Sequence, residues 1–216
     1  MASAADEVAN NVLGDYSNLQ GREEEVTGQL RGEINRQLLA NVSERLNNQK
    51  INGCRISIAT FKKKQENSIG ADLAGIIEFS SNGYLISKAF LAQAKVGSSY
   101  LKGQQYVKSY NKDVVRQAED MLKISSDSFF FVYSDIGIYC VPALQVVLSG
   151  SNTIDTSRHP FHTFGTFYEE FMKCFIGDHL ISPLALGATS LEDYAEKVKV
   201  LSVLKLSVQL NPASET

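Results

Sequence analysis

The sequence has little cysteine and no long apolar run. Its three cysteines are far apart and form no Cys-x-x-Cys pair, which is typical of free, mostly buried thiols in a reducing compartment. No stretch is long enough to cross a membrane, and the N-terminus lacks the basic start and apolar run of a signal peptide. We therefore expect a cytoplasmic protein without a membrane partner.

The chain also lacks a strong excess of either charge. Its formal net charge of −3 does not by itself indicate a nucleic-acid-binding protein. Residues 88–123, however, contain seven Lys or Arg side chains against three Asp or Glu. Local basic patches contact phosphate backbones, so this segment could bind nucleic acid, although a solvated helix face is the ordinary explanation of such a segment.

Length and local patterns predict an α/β protein with a mixed sheet and helices on both faces. Its 216 residues, 44% of them hydrophobic, suit one globular domain with a helical appendage. We expect an N-terminal helical extension (1–20), an α/β core (21–148) and a C-terminal helical segment packed on the core (149–216).

The predicted elements follow from residue periodicity and turn signals. Strands are expected over residues 54–61, 73–79, 84–96, 128–133 and 137–141. Helices are expected over residues 22–47, 113–123, 164–176 and 191–210, with another that has Pro142 at its first helical position. The chain up to residue 133 therefore has the order helix–strand–strand–strand–helix–strand.

Two runs that otherwise look like buried strands carry polar side chains. Asp72 precedes an apolar run that begins at Leu73, and Gln93 and Lys95 follow another that ends at Ala92. Burying an unpaired polar or charged group is costly, so these three side chains need a common partner or must face solvent. A divalent cation together with a phosphate would be such a partner.

The spacing around Asn82-Gly83 predicts that the three side chains lie close together. Asn-Gly is a strong hairpin signal, and the strands that it joins are antiparallel. Asp72 lies ten residues before Asn82, and Gln93 lies ten residues after Gly83. The two arms of the hairpin are equal, so Asp72 should meet the end of the strand that carries Gln93 and Lys95.

The motifs Gly70-Ala71-Asp72-Leu73 and Gln93-Ala94-Lys95 resemble those of the PD-(D/E)xK nuclease superfamily, which has the restriction-endonuclease-like fold. The pattern is similar to variants with Gly-Ala-Asp and Gln-x-Lys, over residues 20 to 145. Two features depart from the common pattern: no Pro precedes Asp72, and the neutral Gln93 replaces a carboxylate. The resemblance predicts a restriction-endonuclease-like core with extra C-terminal helices.

The resemblance also implies the roles of the motif residues. Asp72, Gln93 and Lys95 would be catalytic, and Mg²⁺ or Mn²⁺ would be held by Asp72, Gln93 and the backbone carbonyl of Ala94. Asp72 would be the firm ligand, since an amide oxygen is a weaker ligand for a hard cation. Lys95 would orient or deprotonate the attacking water and stabilise developing negative charge.

In that fold a Glu from the first core helix often completes the metal site. On a helical wheel Glu23 falls within the apolar arc of helix 22–47, Glu33 lies on its edge, and Glu24 and Glu25 point progressively away. We choose Glu23 as a catalytic and metal-binding residue, with Glu33 second. The acidic start of this helix is also explained by its favourable interaction with the helix dipole.

Five further residues are candidates for nucleic-acid binding. Lys62, Lys63 and Lys64 precede the Asp72 motif, and Lys102 lies in the basic segment. Gln117 is placed near the site by the resemblance, as is a helical Gln in some relatives. The alternatives are a solvated loop for the lysines and an ordinary helix-surface position for Gln117.

Together these features predict a Mg²⁺- or Mn²⁺-dependent DNA endonuclease. The resemblance associates it with prokaryotic defence or a mobile element. A homo-oligomer or a partner protein would supply target recognition. Two alternatives remain: a catalytically silent nuclease-like module that binds nucleic acid or a protein, and a purely structural subunit of a complex.

Overall fold

The computed structural model describes residues 54–62, 71–100 and 106–210. Their ten strands are β1 Cys54–Lys62, β2 Leu73–Ser81, β3 Tyr84–Val96, β4 Ser98–Ser99, β5 Val107–Tyr110, β6 Ser128–Ser134, β7 Gly137–Pro142, β8 Thr153–Asp155, β9 His162–Thr163 and β10 Ser202–Leu210. Their four helices are α1 Val114–Leu122, α2 Ala143–Ser149, α3 Phe164–Met172 and α4 Leu191–Val198. The expected N-terminal extension and helix 22–47 lie outside the described residues.

Seven of these strands form one mixed sheet in the order β1-β10-β2-β3-β6-β7-β9. The pairs β10–β2 and β3–β6 are parallel, and the other neighbours are antiparallel. Strands β4, β5 and β8 form a small second sheet that starts directly after β3. The predicted α/β class with a mixed sheet is confirmed, while the restriction-endonuclease-like fold stays a prediction.

Helices pack on both faces of the main sheet, because side chains alternate along each strand and make two apolar surfaces. On one face, α3 joins an aromatic cluster in which the Phe90 ring lies 4.9 Å from the rings of Phe167 and Phe171. On the other face, α1, α2 and α4 pack against residues such as Leu91 and Phe130. No helix in the described part of the chain is long and apolar enough to span a membrane.

The expected hairpin between β2 and β3 is present. Ser81 pairs with Tyr84, and Asn82 and Gly83 form the two-residue turn with positive φ angles of 47° and 83°. Two positive φ angles are the mark of the type I′ turn that Asn-Gly favours, since its twist matches that of the strands. The turn fixes the register, so that Leu73 pairs with Ala92.

The expectation of one helix over residues 191–210 was wrong. Helix α4 ends at Val198, and Lys199 caps it in the left-handed conformation at φ 57°. The chain then forms β10, which lies in the sheet between β1 and β2. The C-terminal segment therefore contributes a central strand of the core, and β1 and β2, expected as consecutive strands of the core, are not neighbours.

Two smaller expectations also need correction. Pro142 precedes α2 as its N-cap, with an extended ψ of 133°, and is not its first helical residue. Helix α3 ends at Met172 and does not continue to Ile176, because Cys174 adopts a positive φ of 67°. Phe175, which lies within the expected helix 164–176, is consequently exposed.

The central position of β10 can be tested at Leu206, which is buried in the aromatic core. Leu206→Ala should lower the free energy of unfolding by about 2–4 kcal/mol, since it leaves a cavity between packed layers. Leu180→Ala, at a leucine that is 78% exposed, is the matched control and should cost less than about 0.5 kcal/mol. Urea denaturation measures both; equal small losses would contradict a central β10.

Candidate functional site

The candidate site lies at one end of the strands of the main sheet, where β2 begins and β3 ends. The Leu91 N–H donates to Asp127 O on the β6 side, at 3.0 Å, so even-numbered residues here direct their backbone groups towards β2. The last β2–β3 pair is Leu73 with Ala92. The N–H and C=O of Ala94 therefore lie beyond the start of the β2 ladder and need other partners.

Asp72 supplies one of these partners. Its Oδ2 accepts a hydrogen bond from the Ala94 N–H at 3.0 Å. Its own N–H donates to Ala92 O and its C=O accepts from the Ser202 N–H, both at 2.9 Å. The residue is thus held between β3 and β10, and its carboxylate is fixed at the end of the sheet.

The Gln93 side chain bridges the Asp72 carboxylate and the Ala94 carbonyl. Its side chain is 7% exposed, and its Nε2 donates to Asp72 Oδ2 at 2.5 Å and to Ala94 O at 3.3 Å. The amide nitrogen therefore lies between a carboxylate oxygen and a carbonyl oxygen. Rotation of the amide would replace this nitrogen with Oε1 and bring three oxygens together, which is a ligand set for a hard cation.

Lys95 lies on the same face of β3 as Gln93, because side chains two residues apart on a strand share a face. It is 5% exposed, which is unusual for a lysine. Two residues along a strand correspond to about 6.6 Å. The predicted proximity of Asp72 and Gln93 is therefore seen directly, and Lys95 follows on the same face within one repeat of the strand.

Gln117 lies on the face of α1 that packs on the sheet, together with the buried Val114, Ala118 and Met121. The Ser128 hydroxyl contacts Met121 O at 3.4 Å, and Ser128 pairs with Leu91, so the end of α1 is level with Leu91. Gln117 precedes Met121 by four helical residues, which amount to about 6 Å. Gln93 follows Leu91 by two strand residues, which amount to about 6.6 Å.

Gln117 is therefore level with Gln93 along the sheet. Its Oε1 is buried and has no hydrogen-bond partner within the described chain. The expectation of an ordinary surface position does not fit this atom, because a buried amide oxygen normally accepts a hydrogen bond. The structure thus leaves one acceptor open on the face of the sheet that carries Gln93 and Lys95.

Lys62 lies at the same end of the strands as Asp72. It pairs with Ser202, which pairs with Leu73, so it is two strands from the start of β2, at about 10 Å. Its side chain is exposed. The other expected site residues lie outside the described residues: Glu23, Lys63, Lys64 and Lys102.

The donor set suits a weakly held cation. Within 54–62, 71–100 and 106–210, no three His, Cys, Asp or Glu side chains are grouped so that they could hold a metal ion. The oxygens that converge are one carboxylate, one backbone carbonyl and, after amide rotation, one amide. Mg²⁺ is usually bound through one or two carboxylates with water completing its shell. These residues fit such a site, which a further carboxylate would strengthen.

The sequence interpretation missed Ser202, whose N–H fixes the Asp72 carbonyl. It did so because β10 was expected to be helical. A signal was present: Leu204, Leu206 and Val208 are buried and alternate with the half-buried Lys205 and Ser207. This two-residue period is typical of a strand.

Comparison with known proteins gives no match: no family model, no curated protein and no solved structure matches the chain. The resemblance to PD-(D/E)xK nucleases therefore stays a prediction based on the motif residues.

The hydrogen bonds at the strand end predict the effect of replacing Asp72. Asp72→Ala removes the acceptor of the Ala94 N–H and of the Gln93 amide, and should lower the free energy of unfolding by about 1–3 kcal/mol. Asp72→Asn keeps an acceptor oxygen and should lose clearly less. Urea denaturation of the two variants and the wild type measures the difference. A wild-type stability for Asp72→Ala would show that the carboxylate does not support this strand end.

Proposed function

We propose that this protein is a metal-dependent nuclease that hydrolyses DNA phosphodiester bonds with the help of Mg²⁺ or Mn²⁺. The observation that carries the proposal is the convergence of oxygens from Asp72 and Ala94 on the Gln93 amide, which would add its own oxygen after rotation, on the face of β3 that carries the buried Lys95. Phosphodiester hydrolysis needs an activated water and positive charge at the phosphate. A carboxylate, two further oxygens and a lysine on one face can supply both.

Each residue of the candidate site has a separate role in this proposal. Asp72, fixed by the Ala94 N–H, would hold the cation together with Ala94 O and the Gln93 oxygen. A bound cation lowers the pKa of a coordinated water and neutralises phosphate charge. Lys95 would orient the attacking water and stabilise the negative charge that develops on the phosphate oxygens. Its burial favours this role, because charge interactions are stronger where water is excluded.

Two groups near the edge of the sheet would contribute to substrate binding. The exposed Lys62 at the end of β1 can contact a phosphate of the bound DNA. Gln117 lies on the same face as Gln93 and is the second candidate, through its amide N–H groups. Glu23 would complete the metal shell, and a second copy or a partner protein would supply target recognition. A place in prokaryotic defence or in a mobile element, and a cytoplasmic location, remain part of the same proposal.

Cleavage of supercoiled plasmid DNA with Mn²⁺ tests the activity. The wild-type chain should convert it to nicked and linear forms, and Lys95→Ala and Asp72→Asn should each reduce the rate by about 100-fold or more. Lys173→Ala, at the C-cap of α3 on the opposite face of the sheet, is the matched control and should cut normally. Thermal unfolding checks that each variant is folded. Wild-type rates in folded Lys95→Ala and Asp72→Asn would rule out this site.

Gln93→Glu tests the rotation of the amide separately from activity. A second carboxylate beside Asp72 should lower the melting temperature without metal, because like charges repel, and should increase the stabilisation by Mn²⁺. Gln93→Leu, which offers no oxygen, should reduce the Mn²⁺-induced shift below that of the wild type. Equal shifts in all three proteins would show that this side chain does not ligate the cation.

A catalytically silent module is the second candidate, and one observation favours it. The Gln93 amide already satisfies Asp72 and Ala94 without a cation, so the residues also form a complete structural cap of the strand end. In that case the chain would bind nucleic acid or a protein partner. Mn²⁺ titration followed by calorimetry separates the candidates, since this one predicts no binding that depends on Asp72.

A further inference from the structure

A polar pocket of about 600 Å³ lies between α2, β5, β8 and the turn that follows β8. Its lining includes Lys108, Leu148, Thr153, Asp155, Arg158 and His159. A cavity of this size accommodates a ligand of nucleotide dimensions. None of these residues takes part in the site at Asp72, so the pocket needs its own explanation.

The pocket has a net positive charge, because its one carboxylate faces two basic side chains. Asp155 Oδ1 accepts hydrogen bonds from the Tyr100 hydroxyl at 2.9 Å and from the Ser157 N–H and hydroxyl at 3.0 and 2.7 Å. Its Oδ2 lies 3.4 Å from Lys108 Nζ and 3.9 Å from Arg158 Nε. One anion thus faces two cations, and an additional anion is favoured over an additional cation.

The ionisation of Asp155 follows from the same contacts. Burial alone would raise the pKa of this carboxyl group, but the hydrogen bonds from Ser157, Tyr100 and Lys108 outweigh it and hold the pKa below its usual value. Asp155 is therefore charged at neutral pH. Its Oδ2 faces Lys108 and Arg158 and holds both cations at the pocket.

His159 contributes a ring nitrogen to the pocket. It is 6% exposed, and its Nδ1 lies 3.0 Å from the Asp155 N–H. Nδ1 lies equally near the Asp155 C=O, at 3.0 Å, and this carbonyl already accepts from the N–H groups of Arg158 and His159. With the ring proton on Nε2, Nδ1 accepts from the Asp155 N–H, and Nε2 has no hydrogen-bond partner among the residues that the structure describes.

Arg158 contributes the strongest donors. Its side chain is 81% exposed, and its contact with Asp155 is made by Nε at 3.9 Å. Both Nη groups are therefore available for a paired hydrogen bond to an oxyanion, the geometry in which arginine binds phosphate best. Lys108, held over the Tyr100 ring at 4.0 Å, adds a second cation from the facing strand.

We propose that this pocket binds the phosphate group of a nucleotide through Arg158, Lys108 and the His159 Nε2–H. Three donors from separate side chains match the three terminal oxygens of a phosphate monoester, whereas a carboxylate offers two. The exposed Leu148 at the rim supplies apolar surface for the base or sugar. The proposal does not depend on the activity of the Asp72 site.

The phosphate can come from a free nucleotide or from the end of a nucleic-acid strand. The second source is relevant because the backbone of Gly97, just after β3, packs closely on the strand that carries Lys108. A Cβ on Gly97 would lie 2.9 Å from Lys108 O. Gly97 follows Lys95 by two residues, so the strand that carries Lys108 borders the same edge of the main sheet.

Calorimetric titration of the full chain with 5′-AMP, adenosine and inorganic phosphate tests the proposal without metal. AMP should bind at least about tenfold more tightly than adenosine, because charge-assisted hydrogen bonds carry the affinity. Arg158→Met should weaken AMP binding by about tenfold and Arg158→Lys by less. Arg116→Met, which removes the same charge from α1, is the matched control and should bind AMP normally.

Adenosine binding as tight as AMP binding, or equal losses in Arg158→Met and Arg116→Met, would overturn the proposal. Absence of AMP binding to the folded wild-type chain would overturn it as well. A 5′-phosphorylated single-stranded oligonucleotide distinguishes the sources. Competition with AMP that is lost in Arg158→Met identifies a nucleic-acid end as the ligand, and AMP binding without such competition identifies a free nucleotide.

Discussion

The register of the β2–β3 hairpin is the constraint on which the candidate site depends. The turn at Asn82-Gly83 fixes it at one end, and the pair Gly75–Phe90 fixes it in the middle. A Cβ on Gly75 would lie 2.2 Å from the Phe90 ring, so only glycine fits opposite this residue. Since side chains alternate, a slip of one residue would move Gln93 and Lys95 into the aromatic core on the other face.

The hairpin alone would not hold Asp72 rigidly, because the residue precedes the first pair of the ladder. Strand β10 supplies the second support: it adds the Ser202 N–H to the Asp72 carbonyl, while β3 binds the Asp72 N–H and carboxylate. The ion pair between Lys205 and Glu78, at 2.7 Å, ties β10 to β2 further along the sheet. A residue at the end of a strand thus becomes a fixed point, which suits a metal ligand or a structural cap.

The sequence predicted those parts that depend on local signals. The Asn-Gly turn, the equal arms to Asp72 and Gln93, and helix α1 all follow from neighbouring residues, and the structure contains them. It did not predict β10, because the pairing of this strand with β1 and β2 joins residues far apart in the chain, and the apolar residues of 202–210 extend the helical pattern of residues 191–198. It could not predict the pocket proposed to bind phosphate either, since Lys108 comes close to Asp155 and the following turn only through the pairing of β5 with β8.

The neutral side chain of Gln93 resolves a physical conflict at the strand end. Two carboxylates at this distance would repel each other and would need a cation to remain together. Gln93 instead donates a hydrogen bond to Asp72 and adds no second negative charge, so the strand end avoids that repulsion. The cost is a weaker ligand for Mg²⁺. In the proposed metal site, the same amide that would weaken metal affinity keeps the oxygens of Asp72 and Ala94 together without a cation. Cation binding would then require rotation of one side chain and no change of the backbone.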